Sequence, residues 1–144
     1  MNTMGVAGLL AGQEFIASRG GPASIRDHEM KLMRKLWEGI KDIERVNVYC
    51  AESLDGHIPV LSMNVEGFEA ANTGTLLDVD YDIATRTGLH CAPLVHEQMH
   101  SAEIGGTVRF SLGPFNTEEH IDAAIQAVGE IVKMSKGWTK SIDY

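Results

Sequence analysis

The sequence is poor in three features that would each point to a particular class of protein: cysteine, basic charge and long apolar runs. Its 144 residues include only 2 cysteines, too few for the disulfide framework of a small secreted domain. The 12 lysines and arginines stand against 20 acidic residues, and the net charge of −8 argues against nucleic-acid binding. No apolar run approaches the ~20 residues that cross a bilayer, so no membrane partner is predicted.

The N-terminal segment 5–12 is apolar, yet it lacks the marks of a targeting sequence. No basic region precedes it, and it continues directly into Gln13 and Glu14, so no signal peptide is predicted. With few cysteines and no such signal, the expected compartment is the reducing cytoplasm. The length and the hydrophobic content of 44% are those of one globular domain, or of part of a larger one, that can bury a core.

Two helices are predicted in the first third of the chain. The first follows helical spacing from Val6 to Ala17 and ends before the turn sequence at 19–22. Ser24 is a good N-cap for the second helix. The apolar residues of that helix recur at helical spacing and form one long stripe: Ile25, Leu32, Met33, Leu36, Ile40 and Ile43.

Two more helices are predicted further along the chain. One covers 68–78. The other opens with a capping-box spacing, in which Asn116 is the cap and Glu119 follows three residues later. A C-terminal tail is predicted at 135–144.

Four short stretches have the composition and alternation of strands: 46–50, 58–65, 83–86 and 107–112. In the last of them, Val108 and Phe110 share one face, whereas Arg109 and Ser111 share the other. The predicted fold is therefore α+β, with about four short strands covered by three or four helices.

A cysteine in a tight loop is the main chemical signal. Cys91 lies between Gly88 and Pro93, with His90 directly before it and Arg86 in the same segment. Because nearby positive charge lowers the pKa of a thiol, these neighbours would favour the nucleophilic thiolate. The alternative, that Cys91 is only a small apolar residue, stays open on residue types alone.

The second cysteine, Cys50, ends an alternating apolar strand, so a place in the core is predicted for it. Four residues of zinc-ligand type cluster around the first: His90, Cys91, His96 and His100. Their spacing does not match a compact zinc site and no second ligand pair follows, so no metal is predicted.

Arg109 lies on a strand otherwise built of apolar and small residues. A guanidinium group binds a carboxylate through two parallel hydrogen bonds, which makes an amino-acid substrate a natural candidate. A structural salt bridge to an acidic residue is the alternative.

Together, the segments 86–93 and 106–119 closely resemble the C-terminal part of cysteine desulfurases. These are pyridoxal-phosphate enzymes of the class V aminotransferase fold, and selenocysteine lyases are close relatives. The segment 2–9 resembles the helix that opens their C-terminal third, and the whole resemblance covers about residues 2–134. It implies the small C-terminal domain of a fold-type I pyridoxal-phosphate enzyme.

The resemblance also implies roles for four residues. Cys91 matches the cysteine that takes sulfur from L-cysteine, or selenium from selenocysteine, and becomes a persulfide in the sulfur case. Arg109 matches the arginine that binds the substrate carboxylate. Arg86 and His90 match neighbours that shape the mouth of the site.

The sequence departs from the family in its cofactor residues. Relatives bind pyridoxal phosphate on a large N-terminal domain, through a lysine that usually follows a histidine, and residues 1–144 contain no His-Lys pair. The lysines here are expected to be solvated surface residues, so no covalent cofactor is expected on this chain. Without that electron sink, the isolated chain is expected to be inactive.

Three possibilities remain open for how such a chain works. It is the C-terminal domain of a desulfurase that is inactive alone, or it acts with a separate cofactor-bearing chain, or it is a stand-alone sulfur-accepting module. Loss of the large domain would expose an apolar face, so homo-oligomerisation is expected. The segment 96–105 is expected to be a mobile loop.

Overall fold

The computed structural model describes residues 1–50 and 53–138, with the side chains of 136–138 excepted. Five helices and four strands make up this described part. In chain order they are α1 (Thr3–Ser18), α2 (Gly21–Ile40), β1 (Val46–Tyr49), β2 (Val60–Val65), α3 (Ala70–Tyr81), β3 (Arg86–Gly88), α4 (Pro93–Gln98), β4 (Thr107–Ser111) and α5 (Glu118–Trp138). None of these helices has the length and apolar character needed to cross a membrane.

The four strands form one antiparallel sheet in the order β1-β2-β4-β3. Successive side chains of a strand point to opposite faces, so the alternation in β2 divides it into two faces. Leu61 and Met63 are fully buried on one face, and Ser62 lies on the other. The predicted division of β4 is confirmed, since Val108 and Phe110 are buried opposite Met63 and Leu61.

Three helices lie on the apolar side of the sheet: α2 and α3 contact its strands, and α5 packs against both of these helices. From the stripe predicted for α2, four residues are at most 1% exposed: Leu32, Met33, Leu36 and Ile40. They pack with the buried residues of β2, β4 and α5 in a single core. The predicted α+β layering is confirmed, and it leaves the second face of the sheet free of these three helices.

The predicted cap of α2 is wrong. The helix begins at Gly21, with Gly20 as its N-cap, so Ser24 lies inside the first turns. Gly20 and Gly21 have φ of 85° and 87°, a conformation that glycine adopts without strain and that reverses the chain after α1. Pro22 then fits the first turn because its missing N–H is not needed there.

The capping box of α5 is displaced by one residue from the predicted position. Thr117 Oγ1 accepts a hydrogen bond from the backbone N–H of His120 (3.5 Å), and the Thr117 N–H donates to His120 Nδ1 (3.3 Å). Asn116 instead accepts from the Gly113 N–H at 2.8 Å, which stabilises the preceding loop. Asparagine and threonine can both cap a helix N-terminus. Because Asn116 is hydrogen-bonded to Gly113 in the preceding loop, Thr117 caps α5.

Two further boundaries differ from the sequence prediction. The strand predicted over 83–86 is β3, Arg86–Gly88, because α3 continues to Tyr81 and Asp82 ends it with a left-handed φ of 54°. The tail predicted at 135–144 starts later, because α5 continues to Trp138 and Ser135 is 1% exposed. Residues 139–144 lie outside the described part.

Candidate functional site

The candidate site lies on the face of the sheet opposite the three covering helices. One row of residues crosses all four strands in register on this face: Tyr49, Ser62, Arg109 and Arg86. The two arginines are therefore direct cross-strand neighbours, at the distance of about 4.5–5.5 Å between Cβ atoms that such pairs have. The sequence places them more than twenty positions apart, and only the pairing of β3 with β4 brings them together.

Cys91 joins this pair through the turn that follows β3. His90 and Cys91 both have left-handed backbones, with φ of 52° and 59°, which turn the chain sharply back toward β3. The Cys91 thiol is exposed, and Arg86 Nη2 donates to its Sγ at 3.8 Å. Two consecutive left-handed residues other than glycine cost about 1–2 kcal/mol each, so the surrounding contacts must hold this turn.

His90 supplies one of those contacts. Its Nε2 lies 3.1 Å from both the carbonyl oxygen and Oγ1 of Thr107, the first residue of β4. Thr107 is fully buried. The pKa of His90 is lowered, first by burial and then by the positive charge of Arg109, so the neutral ring is favoured.

A close approach of two backbones supplies the next contact. A Cβ added to Gly106 would lie 2.2 Å from the carbonyl oxygen of Gly88, and Gly106 has a φ of 89°. Only glycine fits this position, because any side chain would strike the β3 backbone. The two ends of the segment that carries Cys91 are thereby in direct contact.

The segment 96–105, for which the sequence predicts a mobile loop, contains the end of a helix and hydrogen-bonded turns. Helix α4 spans Pro93–Gln98, and the chain returns through hydrogen-bonded turns to β4. His96 is 3% exposed, and its Nδ1 lies 2.8 Å from Oγ of the fully buried Ser101. The Ser101 carbonyl in turn accepts from the Gly106 N–H at 2.8 Å. The buried side chains of His96 and Ser101 thus hydrogen-bond to each other inside this segment.

Arg109 is half-buried, and its Nε is a buried donor without a hydrogen-bond partner. No salt bridge from Arg109 to an acidic side chain is found within residues 1–50 and 53–138. The structural salt bridge considered from the sequence therefore finds no support in the described structure. A buried donor left unsatisfied costs about 1–3 kcal/mol.

Sequence reasoning missed Asn64. This residue is 3% exposed, and its Nδ2 donates to the Gly106 carbonyl (2.9 Å) and to the Tyr49 hydroxyl (3.2 Å). Its Oδ1 is buried without a partner. The signal was available, because Ser62 and Asn64 alternate with apolar residues in β2 just as Arg109 and Ser111 do in β4.

Cys50 has the opposite environment to Cys91. It is half-buried and packs against the core, as predicted, next to Trp37. Burial raises the pKa of the Cys50 thiol, which disfavours its reactive form. No group of three or more histidine, cysteine or acidic residues in the described part of the chain could hold a metal ion.

The described lysines do not fit a covalent cofactor site beside Cys91. Four lysine side chains are described, on α2, at its end or on α5: Lys31, Lys35, Lys41 and Lys133. Lys31 pairs with Glu118 (2.6 Å) and Lys35 with Asp122 (2.7 Å). These helices pack on the apolar face of the sheet, whereas Arg109 and Arg86 lie on the other face.

Two pockets in the described part of the chain lie away from Cys91. One pocket of about 420 Å³ lies between Arg19 and Phe115, and a second of about 410 Å³ lies between Tyr81 and His120. Neither is lined by Cys91 or Arg109. Cys91 and Arg86 are exposed, so the candidate site is an open surface with reactive and charged groups.

This arrangement of a loop cysteine and a strand arginine can be compared with known proteins. The sequence pattern of the aminotransferase class-V family matches residues 1–124. The chain belongs to the class-V aminotransferase family. Its similarity within that family is to cysteine desulfurases, as the resemblance in the sequence indicated.

Individual relatives are similar over nearly the whole chain. A probable cysteine desulfurase of Pyrococcus abyssi is 33% identical over 92% of this chain, and the cysteine desulfurase IscS of Aeromonas salmonicida is 33% identical over 88%. The apo structure of the cysteine desulfurase of Thermococcus onnurineus superimposes with a TM-score of 0.81 at 34% identity, over 92% of this chain. The chain spans about a third of the length of these relatives, with coverage of 31%, 33% and 32%.

Proposed function

We propose that this chain supplies the sulfur-accepting part of a cysteine desulfurase active site. The exposed Cys91 thiol, 3.8 Å from the Arg86 guanidinium and in a member of this family, is the observation that carries the proposal. In this proposal Cys91 takes the sulfur as a persulfide, and Arg109 binds the carboxylate of L-cysteine. Arg86 and His90 support the thiol.

The chemistry assigned to Cys91 is balanced without an external oxidant. The Cys91 thiolate attacks the sulfur of L-cysteine, an S–S bond forms, and the C–S bond of the substrate breaks. The β-carbon takes up a proton, so that alanine leaves and Cys91 carries the persulfide. Arg86 Nη2 lies 3.8 Å from Cys91 Sγ, so the guanidinium can donate a hydrogen bond to the attacking sulfur.

The unpartnered Nε of Arg109 supports its assigned role. A carboxylate offers two acceptor oxygens in one plane, which matches the donors of a guanidinium group. The cross-strand position of Arg86 beside Arg109 adds a second positive charge. The carboxylate of an amino-acid substrate would offset this uncompensated charge.

The proposal assigns the cofactor to a partner. Breaking the C–S bond requires an electron sink, which pyridoxal phosphate supplies in this family. The described lysines are on the wrong face of the sheet for that task, so we infer that a cofactor-bearing large domain covers the open site. The chain alone is then expected to form no alanine from L-cysteine.

Persulfide mapping tests the role of Cys91. The chain is incubated with an active cysteine desulfurase and L-cysteine, alkylated, and digested for mass spectrometry. We expect the persulfide on the peptide that contains Cys91 and a complete loss of that signal in Cys91→Ser.

Cys50→Ser is the matched control, because it removes the other thiol while leaving the site untouched. It should retain the full signal. A persulfide that persists in Cys91→Ser, or that appears on Cys50 alone, would exclude the proposed role.

A further inference from the structure

The support that His90 gives to the Cys91 thiol depends on one contact across the sheet. It precedes Cys91 directly, and its ring reaches across to the first residue of the neighbouring strand, Thr107. The two residues are 17 positions apart in the chain. This contact joins the Cys91 turn to the sheet at the edge where Arg109 also lies.

The partner of the ring defines where its proton sits. A carbonyl oxygen only accepts hydrogen bonds, so we assign the hydrogen of the neutral ring to the Nε2 that faces the Thr107 carbonyl at 3.1 Å; the Thr107 hydroxyl at the same distance can then accept as well. In the neutral ring Nδ1 is then unprotonated, and this atom is buried without a partner. A second proton would therefore enter a buried position close to the charges of Arg109 and Arg86, which also lower the pKa of His90.

The hydrogen bond between His90 and Thr107 restrains the left-handed turn that carries Cys91. His90 and Cys91 are consecutive left-handed residues, and the exposed Cys91 side chain is contacted by Arg86 Nη2 at 3.8 Å. The ring of His90 is the side-chain anchor closest in sequence to the thiol. Behind Thr107, the backbone of Gly106 is held in turn by Asn64 (2.9 Å).

We propose that His90 is a positioning residue: as the neutral Nε2–H tautomer, bonded to Thr107, it holds the left-handed turn that places the Cys91 thiol beside Arg86. The proposal deepens the proposed function, since it rests on Cys91 as the sulfur acceptor. His90 does not touch the substrate in this scheme. It acts only through the geometry of its neighbour.

Three substitutions of His90 distinguish the effect of its hydrogen bond to Thr107 from the effect of its left-handed backbone conformation. His90→Gln keeps a donor that can reach Thr107. His90→Asn tolerates the left-handed backbone but is too short to reach, and His90→Ala provides neither property. The probe is glutathione persulfide, whose outer sulfur is attacked by the Cys91 thiolate while glutathione leaves as a thiolate, so no cofactor is needed.

We expect His90→Asn and His90→Ala to accept sulfur about 10- to 100-fold more slowly than the parent chain, because small misplacements of a nucleophile have effects of that size. His90→Gln should restore the parent rate to within about threefold. Iodoacetamide also reacts with the thiolate but needs no fixed approach, so at alkaline pH, which favours the thiolate with or without a neighbouring guanidinium, alkylation of Cys91 should be nearly equal in all variants. A merely structural role would slow both reactions in parallel.

His100 offers a matched control in the same segment. It is exposed and also has a left-handed backbone, with φ of 53°, so His100→Asn and His100→Ala test the effect of an equivalent substitution away from Thr107. Both should transfer sulfur at the parent rate.

Equal rates in His90→Asn and His90→Gln would overturn the proposal, and so would a ring that nitrogen NMR shows to be protonated at Nδ1 at neutral pH. If the parent chain accepts no sulfur at all, the proposed function fails. The ring tautomer, and the backbone amide shift of Cys91 in the His90 variants, then still decide the positioning role.

Discussion

Around Cys91, single residues carry positive charge that no described acidic side chain compensates. Arg86 and Arg109 are neighbours across two strands, and the donor Nε of Arg109 is buried without a partner. Burial and the charge of Arg109 both lower the pKa of His90, so its ring is favoured in the neutral form. Such a site is stabilised when an anion binds and is destabilised when further positive charge is added.

The lowered pKa of His90 predicts a pH dependence of stability. In the unfolded chain the ring titrates near its ordinary value of 6.5, and in the folded chain it titrates lower. Between these two values the unfolded state binds more protons, so the free energy of unfolding rises with pH and is lost as pH falls below about 6.5. Urea unfolding of the parent chain and His90→Gln at several pH values measures this dependence.

We expect the parent chain to lose more stability on acidification than His90→Gln does. The carboxylates and the histidines other than His96 are common to both chains, so their contributions cancel in the difference; the charge of His96 also lowers the pKa of His90, so the difference reports this pair. Equal pH dependence in the two chains would show that His90 is not the titrating group.

Among the elements of the fold, β3 is the shortest strand and carries much of the site. It has three residues, and it is fixed at the edge of the sheet by β4 on one side and by α3 above it. Gly74 of α3 approaches the methyl group of Thr87 so closely that a Cβ would meet it at 2.3 Å. The short edge strand thus depends on close backbone packing rather than on a long ladder of hydrogen bonds.

A pair of glycine substitutions tests this dependence. Gly106→Ala introduces a Cβ that would strike the Gly88 backbone at a positive φ, so we expect a loss of about 3 kcal/mol in the free energy of unfolding. Gly129 lies inside α5, and nothing lies within 4 Å of the position that an added methyl group would take there. Gly129→Ala should therefore gain roughly 0.5–1 kcal/mol.

Chemical denaturation with far-ultraviolet circular dichroism measures both changes. A loss of less than about 1 kcal/mol in Gly106→Ala would mean that the β3–β4 edge can rearrange, because surface substitutions have effects of only about half that size. It would then contradict the rigid contact described for the Cys91 segment.

For the whole molecule, the open site and helix α1 point to a surface that a further partner covers. Helix α1 has no buried residue, although it is rich in apolar side chains, and Leu9 and Leu10 are 66% and 56% exposed. Exposed apolar patches of this kind mark interaction surfaces, and the chain spans about a third of the length of its relatives. A large domain is the partner we propose, and a second copy of the chain would be the substitute when that domain is absent.

The isolated chain is therefore predicted to self-associate through α1. We expect static light scattering to show a mass above that of a monomer, and Leu9→Glu combined with Leu10→Glu to restore the monomer. Because both residues are exposed, the free energy of unfolding should change by less than about 0.5 kcal/mol per substitution. A monomeric parent chain at high concentration would refute this prediction.

Helix periodicity and strand alternation depend on residues close together in the chain, and the sequence therefore predicts them well. The buried stripe of α2 and the two faces of β4 follow directly from such spacing. Cys91 and Arg109 could be selected because their residue types are unusual for the loop and the strand in which they stand. Their roles stay proposals that the experiments above test.

The boundaries and the assembly of the site could be decided only by the tertiary structure. Ser24 and Asn116 have the right chemistry for caps, yet the turn at Gly20 and the bond to Gly113 give the caps to other residues. The pairing of Arg86 with Arg109 arises from contacts between residues far apart in the chain. Each such contact is weak, so no local pattern reveals it, and the sum over the packed sheet determines which residues meet.

The sequence by itself thus determined the class of fold, the family and the residues with unusual chemistry, because each depends on local pattern or on a motif. The tertiary structure decided that two arginines and a thiol share one open face, while the described lysines lie on the other. It also decided that His90 is anchored to Thr107 and that the following segment is folded. The physical reason is that a site is a property of distances across the sheet, and these arise only when the strands pair.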